Sequence, residues 1–438
     1  MKNNPLFIDY KLPFNTIPFD EIKTEDFLPA IHKAIEDSNA KIEAITSSVD
    51  IPSFENTVLA FETSHEDLER IVGIYWHLFA ANSEGEFKKL AEEISPLLSS
   101  HTNDYMLNAN LFSRIESVYK NDTNVDYDEH DSKLIENVYK MFLRNGASLD
   151  DENKENLRNL DQELSMLSPK FSNNVLDAQN AFELWVTDES DLDGLPKDAI
   201  SAASQAAKAK NKEGQWLFTL QMASYIPFMT YSNKRHLREK LFKGHGGLCN
   251  GGKFDNSTII TKIVELKHKR AQLLGYKSHA DFVLERRMAE NIENVYELLD
   301  NLYDYSYSAA KSELKEIEAY AFEKDSLDSF YQWDFMYYKE QLKKEKYNFD
   351  SEELRPYFKS ENVIKGVFEV ANRLYGLTFK KLDDIQTWHE EVDCFEVNNE
   401  DGSHVGIMYI DLFPRATKRS GAWMNALLEN GLYKGKVR

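Results

Sequence analysis

TWHEEVDCFEVNNEDGSHVGIMYIDLFPRATKRSGAWM, Thr387 to Met424, is the stretch where the chain changes character. Val392 to Val397 alternates apolar and acidic residues and reads as a strand. Asn398 to Gly402 is rich in turn formers, and Val405 to Leu412 reads as the returning strand. Gly421-Ala422-Trp423-Met424 reads as the opening of a third strand, yet Arg438 closes the sequence before a sheet of about five or six strands is complete. The expectation is the beginning of a small sheet, in a domain cut short, at the end of an otherwise helical chain.

Outward from this stretch, periodicity is helical nearly everywhere. Asn3 to Pro18 holds Pro5, Pro13 and Pro18 and reads as an extended arm on the surface. Phe27, Ile31, Ile35, Ile42 and Ile45 then recur at helical spacing, which places one apolar stripe inward while Glu36, Asp37, Lys41 and Glu43 stay wet. A second amphipathic segment runs from Phe54 to about Ala81, and further periodic stretches cover Glu86 to His101, Ala109 to Tyr119 and His130 to Arg144. Asn145-Gly146 is a stop, and Ser148 with Asp151 reads as a capping box opening a long helix whose buried seam is Leu157, Leu160, Leu164, Leu167, Phe171 and Val175.

FELWVT (182–187) and QWLFTLQM (215–222) interrupt the helices as a small β insertion, punctuated by the DLDGLP turn at Asp191 to Pro196. A helix at Asn233 to Lys243 leads to the glycine-rich GHGGLCNGG, Gly244 to Gly252. Helices resume over 257–274, 280–288, 292–322, 333–347 and 362–375. No fixed-period repeat is present, which argues against a solenoid. The fold class is therefore mainly α: a multi-helix array with a small β insertion and the start of a small sheet near the C-terminus. Residues 1–360 form a helical N-terminal region, with the insertion at about 182–222, and residues 361–438 begin a second domain.

Composition narrows the function. The 438 residues are 42% hydrophobic and 12% aromatic, enough for a sizeable core. Lys and Arg total 52 against 74 Asp and Glu, a formal charge of −22, which disfavours nucleic acid, anionic membranes and acidic partners. No apolar run suits a membrane span, and MKNNPLFIDYKLPF lacks a secretory signal, so a cytoplasmic location is expected. Cys249 and Cys394 are the only cysteines, which excludes a disulfide framework and a thiolate zinc cluster.

Several stretches imitate chemistry. GLCNGGK, Gly247 to Lys253, has the bare spacing of a phosphate loop, but Phe254 replaces the magnesium-binding hydroxyl and a helix replaces the preceding strand. His65 and Glu69 stand at i and i+4, a chelating pair without a third ligand that reads as a solvated helix face. Among the eleven histidines none forms an H-E-x-x-H, and no G-x-S-x-G elbow occurs. By motif, no catalytic residue and no metal ligand can be named.

NPLFIDYKLPFNTIPFDEIKTEDFLPAI (4–31) and SFENTVLAFE (53–62) resemble the amino terminus of the M3 zinc metallopeptidases, most nearly the bacterial peptidyl-dipeptidases. The likeness continues in order through AQLLGYKSHADFVLERRMAE (271–290), the stretch from Gln332 to Phe379, and GIMYIDLFPRATKRSGAWM (406–424). The resemblance implies a mostly helical peptidase whose halves face a channel admitting short, unfolded peptides, with zinc as cofactor of the intact family protein. It also implies that zinc is held by an H-E-x-x-H helix and a further Glu, with the motif's Glu as general base. None of those residues occurs here, so no zinc ligand carries over, no zinc is expected to bind these 438 residues, and the chain alone is expected to be inactive. Val367, Phe368, Leu374, Ile407, Tyr409 and Leu412 are expected to lack covering partners.

The candidate substrate-binding residues are Gly421, Ala422, Trp423 and Met424, read as a strand open to edge addition by a peptide; packing of Trp423 and Met424 into a core, with the glycine as a turn, suits the residue types better. The glycine-rich loop at 244–252 suits either a lid or a plain connection. A monomer is expected. The reading from another class is a non-catalytic peptide-binding or scaffolding protein.

Overall fold

A computed structural model describes residues 4–8, 10–121, 127–428, 431–433 and 436–437. Fourteen α-helices of six or more residues carry the fold among these. They are α1 (Thr24–Ser47), α2 (Glu66–Ala81), α3 (Ala91–Met106), α4 (Ala109–Asn121), α5 (Glu129–Arg144), α6 (Asp151–Ala181), α7 (Lys197–Ala209) and α8 (Met222–Tyr231). The rest are α9 (Arg235–Gly246), α10 (Ser257–Leu273), α11 (His279–Leu284), α12 (Ile292–Asp325), α13 (Gln332–Tyr347) and α14 (Ser360–Tyr375). The strands are β1 (Leu184–Val186), β2 (Trp216–Phe218), β3 (Thr378–Leu382), β4 (Asp393–Asn398) and β5 (His404–Ile410), with a two-residue ladder of Leu432–Tyr433 on Lys436–Val437.

The stripe on α1 buries Phe27, Ile31, Ile42 and Ile45, and two cores divide it. Its first half packs on Ile71, Ile74 and Tyr75 of α2 and Ile94 of α3. Its second half packs on Phe54, Val58 and Phe61 and on α4 and α5 through Leu111, Ile115, Ile135 and Phe142. The amino-terminal arm is part of the first core, contrary to the expected surface course: Leu6 and Ile17 are buried. Arg70 explains the docking, because its guanidinium donates to the Leu6 carbonyl and to the Tyr10 hydroxyl. An apolar side chain every few residues then outweighs the loss of freedom in a Pro-stiffened segment.

The long helix α6 starts where expected, but its cap is Asp150, whose carboxylate accepts from the Asn153 amide at 2.8 Å, and not Ser148. Its seam is also rotated. Leu157, Pro169, Asn173, Leu176 and Gln179 are buried, whereas Leu160, Leu164, Leu167, Phe171 and Val175 are half-buried between neighbours. Three of the residues that go inward are Pro, Asn and Gln, which a reading of apolar periodicity passes over.

The β insertion is an antiparallel pair, Leu184 opposite Phe218, over a core with Leu192, Phe228 and Leu241. Gly194 sits at φ +88° in its connecting turn, and a Cβ there would stand 2.3 Å from the Tyr231 carbonyl oxygen, so only glycine fits. Asp334 of α13, fully buried, is gripped by Arg235 and Arg238 of α9 and joins this core to the α12–α13 pair. The first two-thirds of α12 stand open, with Tyr296, Leu299, Leu302 and Tyr303 exposed.

The C-terminal sheet has the order β3-β4-β5, all antiparallel. The two strands read around Val392 and Val405 are there. The third is Thr378–Leu382, which precedes them and reads poorly because its Lys380 and Lys381 break the apolar pattern. Gly421 to Met424 is not a strand. Of the residues expected to be uncovered, Val367, Leu374 and Leu412 are exposed. Phe368 is half-buried, stacked 4.1 Å from Phe379, and Tyr409 packs on Phe19 and Trp388. Among the described residues no helix is long and apolar enough to cross a membrane.

Candidate functional site

The segment after β5, Asp411 to Ser420, carries Asp, Arg, Lys and Arg in quick succession, and these charges fold it into a clasp. Asp411 accepts two bonds from Arg415 at 2.8 and 2.7 Å, one from Trp388 Nε1 at 3.0 Å, and pairs with Lys418 Nζ at 3.0 Å. Burial alone would push this carboxyl up; the bonds from Arg415, Lys418 and Trp388 outweigh it and hold the pKa at about 2. Its side chain keeps 10% of its exposure and that of Arg415 8%, so the pair is one whose members cannot be separated cheaply.

The clasp closes on two helices. Against the end of α2, Arg415 donates to the Ala81 carbonyl, the Arg419 amide to the Ala80 carbonyl, and Thr417 bonds both Asn82 and the Ser83 amide. Orphan carbonyls at a helix C-terminus are thus satisfied by cations and amides. Against α6, Arg419 donates to the Ser172 carbonyl and to Asn173, with its guanidinium 4.2 Å from the Phe79 ring, and Asn180 donates to the Ala416 carbonyl.

Gly421, Ala422, Trp423 and Met424 follow at once and are pinned at both ends. On one side Ser420 exchanges hydrogen bonds with the Gln179 amide of α6 at 2.9 and 3.0 Å; on the other Asn425 meets Nδ1 of His77 on α2 at 3.2 Å. Between the pins no described residue makes a hydrogen bond to the backbone of these four. All four are exposed, Trp423 at 40% and Met424 at 91%. Core packing of Trp423 and Met424 is therefore excluded along with the strand: the clasp ends at Ser420, and over the segment stands the Lys418 ammonium, 5.9 Å from the centre of the Trp423 ring. Gly421 adopts φ +117°, with open space where a Cβ would project, so conformation, not crowding, requires glycine there.

His77 is buried, its ring edge-on to Trp388 with centroids 4.2 Å apart. Burial lowers its pKa to about 4 against a smaller upward pull from Asp411. The ring is neutral at physiological pH. Asn425 donating to Nδ1 then assigns the proton to Nε2, which has no hydrogen-bond partner among the described residues.

Residues 228–437 match the family profile described as Peptidase family M3. The chain carries an M3 peptidase domain. Oligopeptidase A of Salmonella typhimurium is 34% identical over 427 residues, 96% of this chain and 62% of that protein. Dipeptidyl carboxypeptidase of Escherichia coli is 31% identical over 97% of this chain and 63% of that protein. The chain thus spans about 62% of the length of the curated relatives it matches. Among solved structures, an oligoendopeptidase F from Bacillus anthracis str. Ames aligns over 70% of this chain and 48% of that chain, with 15% identity and a TM-score of 0.43. The M3 match begins within α8 and takes in the C-terminal sheet, the clasp and Gly421 to Met424.

The zinc that the M3 likeness implies finds no ligand set here: no three His, Cys, Asp or Glu side chains converge to hold a metal among the described residues. His65 and Glu69 approach to 3.5 Å, but His65 is no solvated ligand; it is half-buried, stacked on Tyr105 and edge-on to Phe61. The glycine-rich stretch is not a lid either. Gly244 and Gly246 belong to α9, and a Cβ on Gly244 would lie 2.3 Å from the Phe182 ring. His77, Asn82, Gln179, Asp411, Arg415 and Arg419 escape sequence reasoning, because they converge from three stretches that lie far apart along the chain, around 80, at 179 and at 411–419. The one local signal is Asp411 and Arg415 at i and i+4 just after the largely apolar β5.

Proposed function

We propose that this chain is the peptide-holding portion of an M3-type metallopeptidase, a peptidyl-dipeptidase or oligopeptidase acting on short peptides. Residues 1–360 serve as its helical scaffold and residues 361–438 belong to the catalytic domain. Gly421, Ala422, Trp423 and Met424 bind the substrate main chain. The observation that carries this reading is the backbone of these four residues, exposed, unbonded to any described residue, and fixed at either end by Gln179 and His77. A peptide laid alongside exchanges amide and carbonyl bonds with it, each worth about 0.5–1.5 kcal/mol net. Because the anchors sit on α2 and α6, little ordering is left for the moment of binding, which favours affinity. Trp423 and Met424 offer apolar contact to peptide side chains. The names of the relatives, oligopeptidase A and dipeptidyl carboxypeptidase, agree with short peptides as ligands.

These 438 residues contain no H-E-x-x-H, and we propose that on their own they bind peptide without cleaving it. A second reading, a peptide-binding protein without chemistry, rests on that same observation. Hydrogen exchange tests the shared part: a saturating short peptide slows exchange at the amides of 422–424 while leaving α7 unchanged. Unaltered exchange at 422–424 in the presence of bound peptide overturns the assignment.

A further inference from the structure

The formal charge of −22 makes any local excess of cations conspicuous, and one lies far from the clasp in sequence. Lys133, Asn137, Lys140 and Arg144 fall at i, i+4, i+7 and i+11 of α5, one row along the helix opposite its buried Ile135, Val138 and Phe142, exposed at the two lysines and half-buried at Asn137 and Arg144. The turn after α11 brings Glu285 and Arg286 against this row, and the six residues line a cleft of about 540 Å³.

The charges do not balance inside it. Lys133 and Lys140 share the single carboxylate of Glu136, Lys133 at 2.6 Å. Arg144 is spent as a wall: it pairs with Glu285 at 2.5 Å, donates to the Phe282 carbonyl at 2.8 Å, and lies over the Phe282 ring at 4.5 Å. Arg286 makes no ion pair with a described residue, and it stands close enough to Lys140 for the two charges to repel. Four cations thus face two carboxylates across a concave, partly desolvated surface, which raises the local potential and the concentration of anions. The fixed Arg144 and the amide of Asn137 supply the floor, and the lysines supply mobile donors at the mouth.

We propose that this cleft between α5 and the turn after α11 is a binding site for a small polyanion of the diphosphate or triphosphate class. Its volume falls within the range of small-molecule sites, about 300–1,000 Å³, and exceeds the need of a single phosphate. Two lysines and an arginine that lack a full complement of carboxylates match several phosphate oxygens better than one carboxylate. Glu136 is then the competitor that an anion must displace.

The competitor gives the test its direction. Pyrophosphate and tripolyphosphate are titrated into the full chain by calorimetry at low salt. Lys133→Gln with Lys140→Gln, and separately Arg286→Gln, weaken binding about tenfold, whereas Glu136→Gln tightens it about threefold or more. Lys262→Gln with Lys269→Gln, which changes net charge equally at another helix, leaves it unchanged. Circular dichroism of each variant confirms folding, and Arg286, on an exposed turn, is the variant least able to disturb the core. Three results overturn the proposal: no binding of either phosphate, an equal loss in the Lys262/Lys269 control, or binding of citrate or an acidic peptide as tight as that of tripolyphosphate.

Discussion

Replacing Asp411 with alanine should open the clasp. The carboxylate serves Arg415 through two bonds, Trp388 through one and Lys418 through an ion pair, and it and Arg415 keep only 10% and 8% of their side-chain exposure. Removing it leaves two cations buried without a counter-ion, a change that costs about 3–5 kcal/mol. Because the clasp is tied to α2 and α6 by its own bonds, the loss is local, and hydrogen exchange at 411–420 reads it better than a global melt. At ~1.36 kcal/mol per tenfold, protection there should fall by about two to three and a half orders of magnitude. Asp411→Asn, which keeps an acceptor but loses the charge, should cost about 1.5–3 kcal/mol. The surface pair of Lys33 and Glu36, exposed at 33% and 71%, is the comparison: Lys33→Ala should leave protection in its own helix nearly unchanged. A loss of protection below tenfold in Asp411→Ala would refute the reasoning that this buried carboxylate holds the segment.

The pH dependence of the same segment has a definite sign. His77 titrates at about 4 in the fold against an ordinary 6.5, so the unfolded chain binds the proton first and stability at 421–428 rises with pH between those values, by at most about 3 kcal/mol. Asp411, held at about 2, adds its own loss only at more acid pH. His77→Phe should flatten the profile of exchange at 421–428, though not that of distant helices where His65 and His101, also depressed by burial, report. Gly421→Val forces a branched residue toward φ +117°, a strain of about 1–3 kcal/mol; peptide titration should show binding weakened about tenfold or more with the melting temperature little changed. Gly194→Ala places a Cβ 2.3 Å from the Tyr231 carbonyl and should destabilise the β-insertion core by about 2 kcal/mol or more, seen as a lower denaturation midpoint with peptide binding retained by the folded fraction.

The helices were readable wherever burial follows one apolar stripe, as on α1, where Phe27, Ile31, Ile42 and Ile45 go inward as their spacing requires. Legibility failed where polar residues do the packing. Asn173 and Gln179 of α6 are buried because Arg419 and Ser420 come to meet them, and no periodicity in α6 announces a partner that far along the chain. Pro-rich sequence suggested a surface arm at 3–18, yet Leu6 and Ile17 are core residues because Arg70 holds the arm's carbonyl. At the candidate site the form of Gly421 to Met424 was not legible. Residue type favours a strand or a core for Ala-Trp-Met, while the structure leaves them irregular and exposed because Gln179 and His77 hold only their flanks.

Native mass spectrometry of the 438-residue chain, mixed with short unstructured peptides and zinc, tests the central claim directly. The account predicts adducts at the intact mass of each bound peptide, strongly diminished by Gly421→Val, and no product masses. Shortened peptides in the absence of any other protease, or a chain that forms no adduct at all, would contradict it.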